Sequence, residues 1–269
     1  INALTRRRVG QENAPPVSSD AAVLALSPTA PPLVQPGLDR PIDLAALAAT
    51  EPPAAARFAE GVPIGLYCMS RAWPTARAIE KQVWYFAPDG TVYQSIEYGF
   101  GGEDLARHAS LKGVAQLQGD TLQIDWSNGK RSRARIERTA TGFVWEGATF
   151  LPALPLPAGA SLEGAYEGGE ALSAKANRAP LARRLELRGD GTFRWHGVSL
   201  FPRANVPGAI DAGSNGYDTV GRWRANGYCL VLVDAEGRIF RRIGLRWHQP
   251  GAPNSTGFVF AGTLYTPKE

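Results

Sequence analysis

The side chains best able to do chemistry in this chain are few and scattered. There are three histidines, His108, His196 and His248, and two cysteines, Cys68 and Cys229. A zinc site needs three or four nitrogen, sulfur or oxygen ligands at suitable spacing, and no HxH, CxxC or HExxH run supplies them. His196 follows Trp195 and His248 follows Trp247. Neighbouring strand residues point to opposite faces, so an inward tryptophan leaves its histidine at the surface. There is no nucleophile elbow, P-loop or dinucleotide fingerprint. Gly101-Gly102-Glu103-Asp104 has no Lys-Ser/Thr after it and reads as a loop carrying solvated charges. These residues predict no catalytic group, no metal ligand and no cofactor. The cysteines occupy non-equivalent places and read as unpaired buried thiols, small and apolar, in preference to a disulfide.

The arginines are better organised. Arg131, Arg133 and Arg135 alternate, which makes one strand face basic. Arg238, Arg242 and Arg246 share a face of a later segment, with Arg241 on the other. Two such stripes suit an anionic partner, or they are soluble faces whose arginine stems cover apolar surface. The formal net charge is only +4 over 269 residues, so nucleic acid is not the expected partner. The other candidates are aromatic. Tyr98 and Phe100 lie in segment 97–110, and Phe201 and Tyr217 in segment 199–218. Loops of this length often bind ligands. Their aromatics either contact a partner or pin the loop to its own domain.

All these residues sit on a pattern that occurs twice. Gly65-Leu66-Tyr67 matches Gly164-Ala165-Tyr166, and Asp89-Gly90-Thr91 matches Asp190-Gly191-Thr192. Thr141-Gly142-Phe143-Val144-Trp145-Glu146-Gly147 matches Thr256-Gly257-Phe258-Val259-Phe260-Ala261-Gly262. Phe150-x-Pro152 returns as Tyr265-x-Pro267. The spacing between matched blocks grows along the chain, so insertions fall between blocks and not inside them. The reading is a duplicated domain, 61–152 and 160–269, behind a distinct arm, 1–58.

Alternation and turn residues predict strands near 64–71, 81–87, 91–98, 111–118, 121–127, 131–138 and 142–150. The second copy gives 163–168, 182–188, 192–198, 219–225, 228–234, 238–248 and 257–266. Pro88-Asp89-Gly90, Ser127-Asn128-Gly129 and Asn226-Gly227 are turn signals. Short strands at close spacing make an antiparallel meander, and an open sheet of that size would leave exposed edges. The fold class is therefore all-β: two tandem antiparallel barrels or half-barrels packed together. Phe143 and Trp145 share one face, as do Phe258 and Phe260, and those faces point inward.

The Gly-x-aromatic opening of each copy resembles the Gly-x-Trp of lipocalin-like first strands, with Tyr67 and Tyr166 in place of Trp. The Asp-Gly-Thr hairpin and the closing Gly-Phe-Val-x-x-Gly strand resemble those of small calycin barrels. The resemblance implies an up-and-down barrel that binds something in its mouth or on its flank. It carries over no catalytic residue.

The arm, residues 1–58, holds nine of the 21 prolines and no aromatic before Phe58. Such a segment cannot form a packed core alone. Two apolar islands interrupt it, one around Val23, Leu24 and Leu26, the other running from Ile42 to Ala48, where Asp43 would cap a short helix. Islands of this kind predict docking on a partner over a plain tether. No run reaches the roughly 20 apolar residues of a membrane span. The chain begins at Ile1, which suggests that something upstream has been removed; a signal peptide, a membrane anchor or a trimmed tail fits equally, and a periplasmic or extracellular location is slightly favoured over a cytoplasmic one. Taken together, the expectation is a non-catalytic binding or scaffolding protein joined by its arm to a protein partner in a larger assembly. The alternatives are a carrier of a small apolar ligand in a barrel cavity, and a motif-poor cyclase or isomerase of the fused-barrel type.

Overall fold

The computed structural model describes residues 42–73, 78–106, 112–157, 162–172, 182–197, 217–247 and 257–268. In the first copy, β1 (Arg57–Ala59) precedes β2 (Val62–Trp73), β3 (Ala78–Phe86), β4 (Thr91–Gln94), β5 (Lys112–Gln118) and β6 (Thr121–Trp126). Then come β7 (Arg131–Arg135), β8 (Glu137–Arg138), β9 (Phe143–Trp145) and β10 (Ala148–Pro152). The second copy is entered through β11 (Leu154–Pro155). It contains β12 (Gly164–Ala171), β13 (Ala182–Leu187), β14 (Thr192–Gly197) and β15 (Tyr217–Asn226). It ends with β16 (Cys229–Asp234), β17 (Ile239–Arg246), β18 (Phe258–Phe260) and β19 (Thr263–Pro267). The described helices are two short ones, α1 (Leu44–Ala48) and α2 (Gly102–Ala106), and neither is long enough to cross a membrane.

Strands β12 to β19 pair in sequence, and β19 returns to β12, so the second copy is a closed barrel. The first copy runs in the same order. Its counterpart of β17 is interrupted at Ile136 into β7, which pairs with β6, and β8, which pairs with β9, leaving the ring nearly closed. Register repeats as well as order. Gly65 faces Phe86 as Gly164 faces Leu187, and Arg138 faces Phe143 as Arg246 faces Phe258. The two halves are called here the N-barrel and the C-barrel.

The last predicted strand of each copy is in fact a hairpin. Phe143 and Trp145 face inward, and so do Ala148 and Phe150, of opposite parity. Only a two-residue turn lets both sets share a face. Glu146 and Gly147 take φ of 48° and 71°, and Ala261 and Gly262 take 49° and 70°. Positive φ at both central residues is the geometry that suits the twist of a tight hairpin. The paired rings stack, Phe143 on Phe150 at 4.5 Å and Phe258 on Tyr265 at 5.3 Å.

Aromatic side chains fill both barrels. Trp84, Phe86, Phe143, Trp145 and Phe150 interlock in the N-barrel, and Trp195, Phe240, Phe258, Phe260 and Tyr265 in the C-barrel. The large indole changes sides of one cross-strand pair between copies: Trp84 faces Gln94, whereas Leu185 faces Trp195. Volume is kept while the sequence match is lost.

The barrels meet through their outer walls. Leu66, Cys68, Val83 and Tyr85 on β2 and β3 pack against Ile243, Leu245, Trp247, Val259 and Leu264 from β17 to β19. The Glu97 carbonyl accepts a 2.8 Å hydrogen bond from the Ile243 amide, and Tyr228 Oη donates to the Ala153 carbonyl at 3.0 Å. The arm also joins them. Asp43 caps α1 as expected, its Oδ1 accepting from the Ala45 and Ala46 amides at 2.9 and 3.1 Å. Ile42, Leu44, Leu47 and Ala48 cover Cys229, Val231 and Val233 on the outside of β16. The chain then crosses to the N-barrel, passing so close to Gly65 that an added Cβ would lie 2.5 Å from the Ala56 Cα. The second apolar island thus docks on the chain's own C-barrel. Val23, Leu24 and Leu26 lie outside the described residues.

Two measurements check this core. Truncating Phe143 or Phe258 to Ala should lower unfolding stability by roughly 3–5 kcal/mol, read from urea midpoints. Tyr265 is 0% exposed and its hydroxyl has no hydrogen-bond partner among the described residues, while the equivalent residue in the N-barrel is Phe150. Tyr265→Phe should therefore raise stability by about 1 kcal/mol, since an unpaired buried hydroxyl is a cost.

Candidate functional site

Each barrel has a mouth at the end where its first strand begins. In the N-barrel, Tyr67 forms the floor, its ring 5.2 Å from that of Phe143 and its hydroxyl donating to the Ile64 carbonyl at 3.2 Å. In the C-barrel, Tyr166 meets Phe258 at 4.8 Å and donates to the Leu162 carbonyl at 3.1 Å. Burial pushes the Tyr67 hydroxyl up to about 12, so it is a neutral donor and not a base. The arm shapes the first mouth. β1 pairs with the edge of β2 beyond the point where β10 departs, and Phe58 lies under the Arg138 guanidinium at 4.3 Å. Between β1, the 139–142 turn and residues Leu151, Pro152 and Leu154 is a cleft of ≈ 500 Å³. Its counterpart in the C-barrel, ≈ 320 Å³, includes Tyr166, Phe258, Pro267 and Arg246, the equivalent of Arg138. The larger cleft offers apolar walls and the Thr139 and Thr141 hydroxyls, which suits binding better than proton transfer.

A third cleft of ≈ 360 Å³ lies on the outside of the C-barrel, among Arg184, Glu186, Arg194, His196 and Asp218. Asp218 holds His196 Nδ1 at 2.9 Å and Arg194 Nη2 at 2.5 Å. The Arg194 hydrogen bond is the main reason the Asp218 carboxyl sits below the usual carboxylate range. Trp195, between Arg194 and His196, is fully buried, as alternation required.

The structure redistributes the residues singled out from sequence. Phe100 is 8% exposed and wedged between Tyr85 and Tyr228, at 5.3 and 6.2 Å. Arg242 covers the Tyr98 ring at 4.4 Å. These two aromatics pin their loop into the contact between barrels. Phe201 lies outside the described residues; Tyr217 opens β15, and its side chain lies outside what is described. Arg131, Arg133 and Arg135 do form one exposed face, but Asp125 and Asp120 neutralise two of them, at 2.5 and 2.9 Å. The basic stripes are not equivalent between copies. Arg133 faces Gln123 as Arg241 faces Val231, so Arg241 is the counterpart of Arg133, while Arg131 and Arg135 become Ile239 and Ile243. Gly102–Ala106 is helix and not loop, and Asp104 is bound to Arg241 across the barrels at 3.3 Å. Neither cysteine is in a disulfide and both are buried, Cys68 between the barrels and Cys229 beneath α1. His108 and His248 lie outside the described residues. Sequence reading missed the outer face of β13 to β15, where Arg184, Glu186, Arg194 and His196 alternate and could have been read like the stripe at 131–135.

Comparison with protein-family models, with curated proteins and with solved structures finds no match to this chain.

Cys229 reports on the arm. Burial pushes its thiol up to about 11, and alkylation proceeds through the thiolate. Native protein should therefore label at Cys229 only slowly at pH 8 and faster as the pH nears 11. Leu44→Ala with Leu47→Ala should loosen α1 and raise Cys229 labelling severalfold while Cys68 stays protected. Peptide mass spectrometry after alkylation reads both sites.

Proposed function

We propose that this chain is a non-catalytic binding or scaffolding protein, a lipocalin-like two-barrel body whose N-terminal arm ties it to a larger protein assembly. The observation that carries this reading is where the apolar surface lies. The barrel interiors are filled by their own aromatics, which leaves the outer walls to make contacts. Those walls already do so within the chain: β2 and β3 dock on β17 to β19, and β16 accepts α1. The arm, which belongs to neither repeat, reaches both barrels, through α1 on β16 and β1 on β2.

A second reading has one observation in its favour. The ≈ 500 Å³ cleft at the N-barrel mouth is lined by Phe58, Leu151, Pro152 and Leu154, and it would seat a small apolar ligand at the rim and not inside the barrel. A cyclase or isomerase has less support, since that cleft brings together no pair of titratable side chains able to pass a proton.

The deciding experiment compares the full chain with a variant lacking residues 1–40, both purified under native conditions. The expected result is a stoichiometric protein complex in native mass spectrometry, lost on deletion while the thermal unfolding of the body is unchanged. A retained small molecule with no protein partner would favour the ligand reading. Partner binding undiminished by the deletion would move recognition from the arm to the barrels.

A further inference from the structure

The register sets side chains in rows on the outside of β13, β14 and β15. Arg184, His196 and Asp218 form one row, and Glu186, Arg194 and Val220 the next. Arg188 and Arg222 flank Thr192 in the third. Some charges are matched within the face: Arg194 and His196 on Asp218, and Arg188 on Glu186 at 3.0 Å. Arg184, exposed, makes no ion pair among the described residues. With Arg224, also exposed, five arginines surround two carboxylates.

The equivalent face of the N-barrel shows what this part of the fold is used for. Val83, Tyr85, Ala87 and Tyr93 stand where the C-barrel has Arg184, Glu186, Arg188 and Arg194, and that face is buried against β17 to β19. The C-barrel has the same wall with charges at the positions that are apolar in the N-barrel. Resting on the binding reading above, we propose that the outer face of β13–β15 is a recognition surface for an acidic protein segment, with one carboxylate seated in the cleft between Arg184 and His196.

Charge spacing selects this occupant. Arginine meets a carboxylate in a planar, two-bond geometry. Side chains on one side of an extended segment repeat every two residues, about 6.6–6.8 Å, so carboxylates four residues apart, roughly 13 Å, match Arg184 and Arg188 and leave a neutral residue over Glu186. Separate carboxylates along such a segment can meet the arginines and avoid Glu186 and Asp218. A dense polyphosphate or an anionic bilayer cannot avoid them. Among the described residues the rows present no Phe, Tyr or Trp ring on which successive nucleobases would stack, only the His196 imidazole, which is held by Asp218.

The test is a fluorescence-anisotropy titration of the full chain with a short labelled peptide carrying Glu at every fourth position and Ala between, at low ionic strength. Saturable binding is expected. Arg184→Ala with His196→Ala, both at exposed positions, should weaken it about tenfold, a 1.4 kcal/mol effect. Arg131→Ala with Arg133→Ala, on the N-barrel stripe, should change it less than about twofold. Circular dichroism confirms that both variants fold. Absence of saturation, or equal weakening by both pairs, would overturn the assignment. So would tighter binding of single-stranded DNA or phosphatidylglycerol vesicles through Arg184 and His196. Capture by protein lacking residues 1–40 is read separately, so a failed peptide titration with arm-dependent capture intact refutes this surface and leaves the scaffold reading standing.

Discussion

The contact between the wall of β2–β3 and the wall of β17–β19 is the constraint on which the molecule turns. It makes two small barrels, each of a size that buries a modest core, share a third core made of Cys68, Val83, Tyr85, Ile243, Leu245, Trp247 and Val259. It also explains the loop after β4. Phe100 and Tyr98 are committed to that seam, and Asp104 reaches across it to Arg241. The Glu97 carbonyl takes the Ile243 amide just before β17 turns from β16 to β18. An unmet donor at that bend would weaken the closure of the C-barrel, so one barrel completes the hydrogen bonding of the other.

The contact is head-to-tail: one copy offers its front wall, the other its back wall. Such heterologous contacts can repeat without end. Here both free walls have changed character. Where the C-barrel carries Ile239 and Ile243 the N-barrel carries Arg131 and Arg135, and where the N-barrel carries Tyr85 and Tyr93 the C-barrel carries Glu186 and Arg194. Among the described residues the apolar packing between barrels lies at the internal seam, and the apolar wall on β16 is covered by α1.

Much of this was legible in the chain. The repeat blocks, the strand positions and the inward faces of Phe143 and Phe258 follow from spacing and parity. The closing hairpins were hidden because Glu146-Gly147 and Ala261-Gly262 lack the Asn-Gly signature, although the change of parity between Trp145 and Ala148 encodes the turn. The seam left a trace too. Pro63 to Met69 on β2 and Cys229 to Val233 on β16 are continuous apolar runs, the pattern of strands covered on both sides. The partner of each wall was not legible, because nothing local says that Leu66 meets the C-barrel or that Val231 meets α1. Nor does equal spacing of arginines reveal their register: Arg133 and Arg241 are equivalent only through the residues opposite them.

The position of α1 gives the chain an order of events. The helix leaves the ribosome about 180 residues ahead of its seat on Cys229, Val231 and Val233. At about 5–20 residues per second, it waits roughly ten to forty seconds, longer than a small barrel usually needs to fold. For that interval Leu44 and Leu47 have no surface to cover, and a chain cut short anywhere before β16 keeps them bare. The arm thus registers synthesis past a fixed point: it comes to rest only once β16 has been made, so bare Leu44 and Leu47 mark chains that stop before that strand.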